Sequence, residues 1–476
     1  MVIAHRSIRY DARWLNDPGP VLITDGGRLE ASELGRQVDE RVVTFIECGL
    51  KPGQVVMAPD SPALDLVLTT LALGRIVAGV FPYRTGLDPV ERLALAELAG
   101  VEWFWNPDSA GLIPLSDATQ TTDVSPESRT ALLIKTSGSS GQPQIVMHGY
   151  AGLRASASRV NARLGVTAES TWLCCLRLSH IGGAAILYRA ALAGARLRLH
   201  DGFDALTVRR ELEAHGVTHV SLVPPMLARL LDLGGRAPPS LRVVLVGGQA
   251  LSRPLAERAL AAGWPIQLTY GMTETGSQIA ASGPLAAEDG NLDTSLVGTL
   301  LPDVEVEAPG CDAQPARLRI RGPLLMLGYA NPERQPGQGL EEGGWFGPAD
   351  LGCLTVEGRL RISGRADDIR VIGGTNVSLT KIAQALQEAP GVSEVQIVAG
   401  PDPVWGHRLT AVYAGTSDEM ELAGWCQTHL SGPECPRACL RLERLPLLDS
   451  GKYDRARIAA LVRARDDLVV PESGMH

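Results

Sequence analysis

The stretch Thr136-Ser-Gly-Ser-Ser-Gly-Gln-Pro-Gln144 follows the apolar run Ala131-Leu-Leu-Ile134, with Lys135 between them. The apolar run predicts a strand that leads into a loop of small and hydroxyl-bearing residues. Glycines let backbone N–H groups approach an anion closely, and the hydroxyls add donors, which favours a phosphate-binding loop. Taken alone, the stretch also fits a flexible connector, because the Gly-Lys-Ser/Thr ending of the Walker motif is absent. The candidate phosphate ligands are Thr136, Ser137, Gly138, Ser139, Ser140 and Gly141.

Five further motifs follow this loop along the chain, and their order resembles the adenylate-forming superfamily. That superfamily contains acyl-CoA synthetases, luciferases and the adenylation domains of peptide synthetases. The resemblance extends over most of the chain, and six ordered motifs are far more specific than any one of them. The five motifs are Tyr270-Gly-Met-Thr-Glu-Thr275, Gly344-Trp-Phe-Gly-Pro-Ala-Asp350, Gly364-Arg-Ala-Asp-Asp368, Gly373-Gly-Thr-Asn-Val377 and Ser450-Gly-Lys452.

Composition narrows the class of protein. Of the 476 residues, 45% are hydrophobic and 20% charged, which is typical of a globular protein with room for more than one core. The net charge of −9 and the lack of a Lys/Arg-rich block argue against nucleic-acid binding. No apolar run approaches the roughly 18 residues needed to span a bilayer, so we expect no integral membrane association. Eight cysteines without a repeated C-x-x-C pair predict reduced thiols and a cytoplasmic location.

Short apolar runs alternate with helical stretches through the middle of the chain, which predicts an α/β fold with parallel sheets. Helices are predicted at Ile181–Ala193, Ala205–His215 and Pro254–Ala262. After about Pro302 the pattern alternates with a period of two, which favours antiparallel strands in a small barrel-like subdomain. The predicted strands of the parallel region are Thr171–Leu176, Leu197–His200, His219–Val223, Leu241–Val246 and Ile266–Thr269.

The final part of the chain reads as a small α+β domain, with a helix at Glu419–His429 among short strands. We predict an N-terminal AMP-binding domain over residues 1–365 and a mobile C-terminal domain over 366–476. By the resemblance, Asp367 is the hinge about which the small domain swings between half-reactions. The sequence leaves open whether the protein forms a homo-oligomer.

The resemblance also assigns roles at the nucleotide and metal sites. It implies that ATP and CoA are substrates and that Glu274, a hard oxygen ligand, binds Mg²⁺. Asp350 would bind the ribose hydroxyls, although the family's Thr-Gly-Asp motif is here Pro348-Ala349-Asp350. Thr273 would donate to the α-phosphate, and Lys452 would hold the acid and the α-phosphate during adenylation. The remaining nucleotide and CoA candidates are Gly247, Gly248, Gln249, Tyr270, Gly271, Met272, Arg365, Gly373 and Gly374.

One position departs from the family pattern. The family's loop carries lysine where this chain has Gln144. The loss of that charge predicts weaker ATP binding with the chemistry retained. A nucleotide-binding protein without activity is the alternative from a different class.

The acid to be activated is suggested by residues around the predicted acyl pocket. His180 follows a strand and begins a helix, and its surroundings, like the stretch Tyr270–Ile279, most resemble the 2-succinylbenzoate–CoA ligases of menaquinone and phylloquinone synthesis. Another aryl- or acyl-CoA ligase is the runner-up. The substrate would keep one carboxylate charged inside the pocket, which requires polar partners. His180, Ser277 and Arg177 are the candidates, and a solvent-facing arginine at a strand end is the alternative for Arg177.

Overall fold

A computed structural model describes residues 20–24, 27–115, 129–137, 143–286, 292–309 and 314–469. Its helices are α1 Ala31–Glu47, α2 Ala63–Ile76, α3 Pro89–Leu98, α4 Tyr150–Leu164, α5 Ile181–Ala193, α6 Ala205–Ala214, α7 Pro224–Asp232, α8 Arg253–Ala261, α9 Leu379–Leu386, α10 Glu419–His429 and α11 Arg455–Val469. Its strands are β1 Pro20–Thr24, β2 Gly27–Glu30, β3 Val55–Pro59, β4 Gly79–Tyr83, β5 Trp103–Asn106, β6 Gly111–Pro114, β7 Thr130–Ser137, β8 Pro143–Gly149, β9 Thr171–Cys174, β10 Arg196–Leu199, β11 His219–Leu222, β12 Val243–Val246, β13 Ile266–Met272, β14 Ser277–Ala281, β15 Leu296–Leu300, β16 Glu305–Glu307, β17 Ala316–Arg317, β18 Arg319–Arg321, β19 Gly328–Tyr329, β20 Asp350–Leu354, β21 Arg359–Arg365, β22 Ile369–Ile372, β23 Thr375–Ser378, β24 Val392–Asp402, β25 Gly406–Gly415 and β26 Ala438–Leu442.

Two large sheets form the N-terminal part. The first has the strand order β19-β8-β7-β4-β3-β5-β6, and its centre is parallel, with β3 and β4 buried along their whole length. The second has twelve strands, in the order β17-β20-β21-β15-β14-β13-β12-β11-β9-β10-β1-β2. Its strands β9 to β13 are parallel and alternate with helices, so each crossover helix covers a face of the sheet. The largest hydrophobic core includes residues of both sheets, such as Val80 and Leu197.

The α/β class and the parallel strands predicted from the sequence are confirmed. The helix predicted at Ile181–Ala193 is found with those bounds. The antiparallel strands predicted after Pro302 also form. β17, β20 and β21 extend the large sheet beyond β15, β16 and β18 make a separate pair, and β19 joins the first sheet. The end of β13 turns directly back into β14, so the sheet continues without a break.

The C-terminal part from Ala366 onward has sheets and cores of its own. β22 and β23 form a hairpin, and β24, β25 and β26 form a three-stranded sheet. α9 and α10 pack their buried side chains, such as Ile382 and Leu422, into one core with Tyr413. α11 contributes Ile458 to a second small core. The domain boundary at 365/366 remains a prediction.

Two further observations concern the described residues as a whole. None of the helices there is long and apolar enough to cross a membrane. Among the cysteines there, Cys174, Cys175, Cys426 and Cys439 are buried thiols, Cys435 is partly buried and Cys48 is exposed. Cys311 lies outside the described residues.

Candidate active site

A cavity of about 1310 Å³ opens where the carboxyl ends of the parallel strands meet the C-terminal part. Residues that follow β4, β9, β11, β12 and β13 line it, together with residues of the loop 446–452. Strand ends at a sheet edge leave backbone groups and side chains unpartnered by the sheet, and ligands of α/β folds bind there. The candidate site residues are therefore expected to line this cavity.

Most candidates from the sequence line this one cavity. Four loop residues, Gly138, Ser139, Ser140 and Gly141, and the side chain of Ser137 lie outside the described residues. Gly373 and Gly374 form the turn between β22 and β23, and neither they nor Asp367 line the cavity in this arrangement. The candidates that do line it are Thr136, Arg177, His180, Gly247, Gly248, Gln249, Tyr270, Gly271, Met272, Thr273, Glu274, Ser277, Asp350, Arg365 and Lys452.

The turn at Thr273–Thr275 is fixed by contacts to both sheets. Thr275, which is fully buried, accepts a hydrogen bond from the Met272 N–H at 3.0 Å and donates to the Ser277 carbonyl at 2.6 Å. The His148 side chain meets the Thr273 carbonyl at 2.8 Å across the two sheets. Burial lowers the pKa of His148 to about 4, so the ring is neutral and its Nε2–H is the donor. The turn is thereby held in one conformation before any ligand binds.

The backbone around this turn is unusually crowded. A Cβ on Gly271 would lie 2.0 Å from the Ser277 carbonyl oxygen, so only glycine allows β13 and β14 to approach here. Ser277 has a backbone φ of 105°, a conformation that residues other than glycine rarely adopt. Strained residues of this kind persist where the surrounding structure determines them, often at functional sites.

Glu274 presents its carboxylate to the cavity. Its Oε1 accepts a hydrogen bond of 2.9 Å from the Tyr329 hydroxyl, and its backbone carbonyl accepts one of 2.8 Å from the Met326 N–H. The described residues contain no group of three or more His, Cys, Asp or Glu that could hold a metal ion without help. A single oriented carboxylate fits Mg²⁺, which usually takes one or two protein carboxylates and completes its octahedron with phosphate and water.

Asp350 and Arg365 are neighbours on paired strands. Asp350 is 8% exposed, and burial raises the pKa of its carboxyl group. Arg365 Nη1 lies 3.5 Å from Asp350 Oδ2, while its other nitrogens bind the Asp367 carboxylate at 2.7 and 2.8 Å. The tyrosine ring of Tyr270 adjoins this pair, and burial, together with the charge of Asp350, raises its pKa well above the usual range. Arg365 thus ties the predicted hinge residue to the rim of the cavity.

Lys452 reaches the centre of the cavity from the C-terminal part. Its Cε lies 3.1 Å and its Nζ 3.6 Å from where a Cβ on Gly248 would be, so a side chain at Gly248 would crowd it. The lysine keeps an exposed surface because the open cavity surrounds it. The protein packed around the ammonium, together with the charge of Arg365, lowers its pKa, and the charges of Glu274 and Asp350 oppose that shift.

His180 begins α5 at the floor of the cavity. Its backbone N–H donates to the Arg177 carbonyl at 3.2 Å, which closes a tight turn. Burial, together with the charge of Lys452, lowers its pKa, so the imidazole is neutral at pH 7. Arg177 points to the buried carboxylate of Asp60, with Nη1 3.4 Å from Oδ1, and Ser179 donates to the other oxygen at 2.5 Å.

Arg189 is a candidate that the sequence reasoning missed. It lies one-third of the way from the C-terminal end of α5, is only 2% exposed, and lines the cavity. No described residue hydrogen-bonds its Nε or Nη2, and burial lowers the pKa of its guanidinium to about 9. The buried hydroxyl of Ser221, on β11, is also unpartnered and lines the same cavity. The sequence signal for this residue was a single arginine within the otherwise apolar helix α5.

A buried cation without a counter-charge is costly, so unpartnered buried polar groups call for an explanation. Other buried polar atoms without a partner also line this cavity, namely Gln249 Oε1 and both side-chain heteroatoms of Gln278. Their concentration in one cavity indicates that a polar, anionic ligand completes their hydrogen bonds.

Comparison with known proteins identifies the family of this chain. Residues 14–330 match the family of AMP-binding enzymes, and residues 381–452 match the C-terminal domain of AMP-binding enzymes. The 2-succinylbenzoate–CoA ligase of Bacillus velezensis is 32% identical over 436 residues, which cover 87% of this chain and 89% of that protein.

Two solved structures of the o-succinylbenzoate CoA synthetase of Bacillus subtilis are similar throughout. One contains the acyl-adenylate intermediate, with a TM-score of 0.79 and 25% identity over 98% of this chain and 99% of the other. The second contains ATP and a magnesium ion, with a TM-score of 0.79 and 26% identity over 94% and 98%. The chain therefore belongs to the family of AMP-binding enzymes, and it is similar to the 2-succinylbenzoate–CoA ligases over most of its length.

Proposed function

We propose that this protein is an AMP-forming 2-succinylbenzoate–CoA ligase of menaquinone or phylloquinone synthesis. In the first half-reaction a carboxylate oxygen of the acid attacks the α-phosphorus of ATP, and pyrophosphate leaves. In the second, the thiol of CoA attacks the carbonyl carbon of the acyl-adenylate, the C–O bond to AMP breaks, and the thiol proton passes to solvent. The reaction belongs in the cytoplasm, where ATP and CoA are available. The single observation that carries the choice of acid is the buried guanidinium of Arg189, whose Nε and Nη2 have no hydrogen-bond partner among the described residues.

The nucleotide end of the cavity has the groups that ATP requires. Asp350 offers two carboxylate oxygens to the ribose hydroxyls, and Tyr270 offers a flat face for adenine beside the backbone of Gly247–Gln249. Thr136 and Thr273 provide hydroxyls for the phosphates. When bound, Mg²⁺ at Glu274 would neutralise phosphate charge. The hydrogen bond from Tyr329 leaves the second oxygen of Glu274 available for that ion.

Lys452 supplies the cation of the first half-reaction. Its ammonium lies among Gly248, Glu274 and Asp350, where the acid and the α-phosphate would meet. A fixed positive charge at this position stabilises negative charge that develops in the transition state. The position of Lys452 at the cavity supports the interpretation that the C-terminal part is in its adenylating arrangement. Asp367, bound to Arg365, is the proposed hinge for the movement to the thioester-forming position.

The acid end of the cavity suits a substrate with a second carboxylate. Arg189 and Ser221 present unpartnered donors inside the protein, and a benzoate carboxylate would pair with both. Arg177, the arginine named as a candidate from the sequence, already contacts Asp60, which leaves it less suited to this role. His180 and Ser277 line the wall between the two ends, and the neutral ring of His180 can face the acyl chain without repelling Lys452.

The decisive experiment measures CoA-dependent AMP formation with 2-succinylbenzoate, benzoate and octanoate. We expect a strong preference for 2-succinylbenzoate. Arg189→Met should lower kcat/KM for that acid by roughly 10- to 100-fold, because a charged hydrogen-bond partner of a buried carboxylate is lost. Activity with octanoate, which has no second carboxylate, should not fall in the variant.

Arg177→Met is the matched control, because it removes an arginine from the same cavity wall. It should retain the preference for the dicarboxylic acid. A wild-type preference for benzoate or octanoate would disprove the proposed substrate. Equal losses for all three acids in Arg189→Met would show that the arginine supports the fold and does not recognise the acid.

A further inference from the structure

An ion pair joins the C-terminal part to the mouth of the cavity. Arg84 follows the carboxyl end of β4, and its Nη1 lies 2.8 Å from Oδ2 of Asp449 in the loop 446–452. Both residues line the cavity, and their side chains are 61% and 40% exposed. An ion pair of this exposure contributes little to stability, so its position is more informative than its strength.

Asp449 and Lys452 belong to one compact turn. The Leu448 N–H donates to the Lys452 carbonyl at 2.7 Å, and the Gly451 N–H donates to the Leu448 carbonyl at 2.8 Å. A turn closed by its own hydrogen bonds moves as a unit. Withdrawal of Lys452 from the cavity therefore removes Asp449 from Arg84 in the same event.

Arg84 would then be left as a free cation at the cavity mouth. Among the described residues, Asp449 is the only carboxylate that forms an ion pair with it. The other nearby cation, Lys135 on the neighbouring strand β7, has its own partner in Glu91, which belongs to the N-terminal part and would not leave. The swing thus creates one new positive charge at the entrance.

On the proposed function, the substrate that enters after this movement is CoA, which carries a diphosphate and a 3′-phosphate. Arginine is well suited to phosphate because its planar guanidinium donates two parallel hydrogen bonds. We propose that Arg84 alternates between two anions: Asp449 during adenylation, and a phosphate group of CoA during thioester formation. The exchange makes the CoA site complete only after Lys452 has left.

The test uses the full-length enzyme with preformed 2-succinylbenzoyl-AMP, so that only thioester formation is measured. Arg84→Met should raise KM for CoA by roughly 10-fold or more, the scale for loss of a charged hydrogen bond to phosphate. KM for pantetheine, which has the thiol without the nucleotide, should be the same in variant and wild type. Dephospho-CoA, which lacks the 3′-phosphate, identifies the phosphate that Arg84 binds. If Arg84→Met also raises KM for dephospho-CoA, Arg84 binds the diphosphate; if that KM is unchanged, Arg84 binds the 3′-phosphate.

Two further variants complete the design. Arg258→Met removes an arginine from a surface ion pair of similar exposure outside the cavity and should leave every constant unchanged. Asp449→Asn should leave KM for CoA unchanged, because Asp449 is withdrawn from Arg84 before CoA binds. Arg84→Glu should raise KM for CoA further than Arg84→Met.

An unchanged KM for CoA in Arg84→Met and Arg84→Glu would overturn the inference, as would equal increases for CoA and pantetheine. A raised KM for ATP with an unchanged KM for CoA would also overturn it, by assigning Arg84 to the first substrate. These outcomes are distinct from failure of the proposed function. In that case the wild-type enzyme would form no thioester from the acyl-adenylate.

Discussion

At the scale of single residues, the site depends on partners that are distant along the chain. Thr273 is held by His148, 125 residues away, and Arg177 contacts Asp60, 117 residues away. Glu274 is oriented by Tyr329, which is 55 residues distant. A site residue and the residue that orients it come from segments far apart in the sequence, so substitutions outside the motifs should affect catalysis.

His148 should make stability depend on pH. Its pKa in the folded protein is about 4, below the ordinary 6.5, because the ring is buried. The unfolded chain therefore binds more protons than the folded protein between these two pH values. The contribution of neutral His148 to the free energy of unfolding is complete above pH 6.5 and is lost as pH falls towards 4. Urea unfolding at pH 7 and pH 5 should show a smaller difference for His148→Gln than for wild type. The exposed His215, changed to Gln, should retain the wild-type difference.

Gln144 offers a second prediction at this scale. It lines the cavity opposite Thr136 on paired strands, where the resemblance would place a lysine. Gln144→Lys adds a positive charge at the phosphate end and should lower KM for ATP several-fold, the range for a charged hydrogen bond. Steady-state kinetics at fixed acid and CoA measure it. An unchanged KM would mean that the side chain at 144 does not reach the phosphates.

At the scale of elements, the loop 446–452 fits closely against the start of α7. Gly451 has φ of 78°, and a Cβ there would lie 2.5 Å from Cε of Met226 and 2.8 Å from Cγ2 of Val223. The loop can deliver Lys452 only because this position has no side chain. The glycine is therefore needed for the adenylating arrangement of the two parts.

Gly451→Ala should slow adenylation by roughly 10-fold or more, since misplacement of a catalytic group by about 1 Å can reduce the rate 100-fold. Acid-dependent pyrophosphate exchange measures this step. Thioester formation from preformed acyl-adenylate should be unaffected. Gly358→Ala is the matched control, because Gly358 has a similar φ of 72° but no atom near its Cβ position. Equal losses in both variants would attribute the effect to backbone strain alone.

At the scale of the whole molecule, one cavity must serve two half-reactions with different entering groups. Lys452 lines the cavity in the observed arrangement. Gly373 and Gly374 lie outside the cavity, and Gly373 packs against the ring of Trp405. On the proposed function, the candidate of the first half-reaction therefore lines the cavity in this arrangement, and the glycine candidates of the second do not. A rotation of the C-terminal part about Asp367 would exchange them.

Lys452→Met tests that exchange directly. It should reduce pyrophosphate exchange by roughly 10²-fold or more, the scale for removing one group that stabilises transition-state charge. Conversion of preformed acyl-adenylate to thioester should continue at the wild-type rate. If both steps slow equally, Lys452 does not leave the site between them.

The sequence by itself determined the order of the motifs, the α/β class and the positions of many elements, including α5 and α10. These features follow from local periodicity and from motifs whose spacing is fixed by the backbone. Most of the proposed site residues that line the cavity could also be named from the sequence motifs.

Only the tertiary structure decided which arginine is free. Arg177 and Arg189 lie on the same stretch of chain, and nothing local distinguishes a cation paired with Asp60 from a buried one whose Nε and Nη2 lack hydrogen-bond partners among the described residues. The pairing between β1 and β10 and the continuation of the antiparallel strands from the large sheet were likewise set by packing. Burial and ion pairing depend on residues that meet only after folding, and local periodicity carries no information about them.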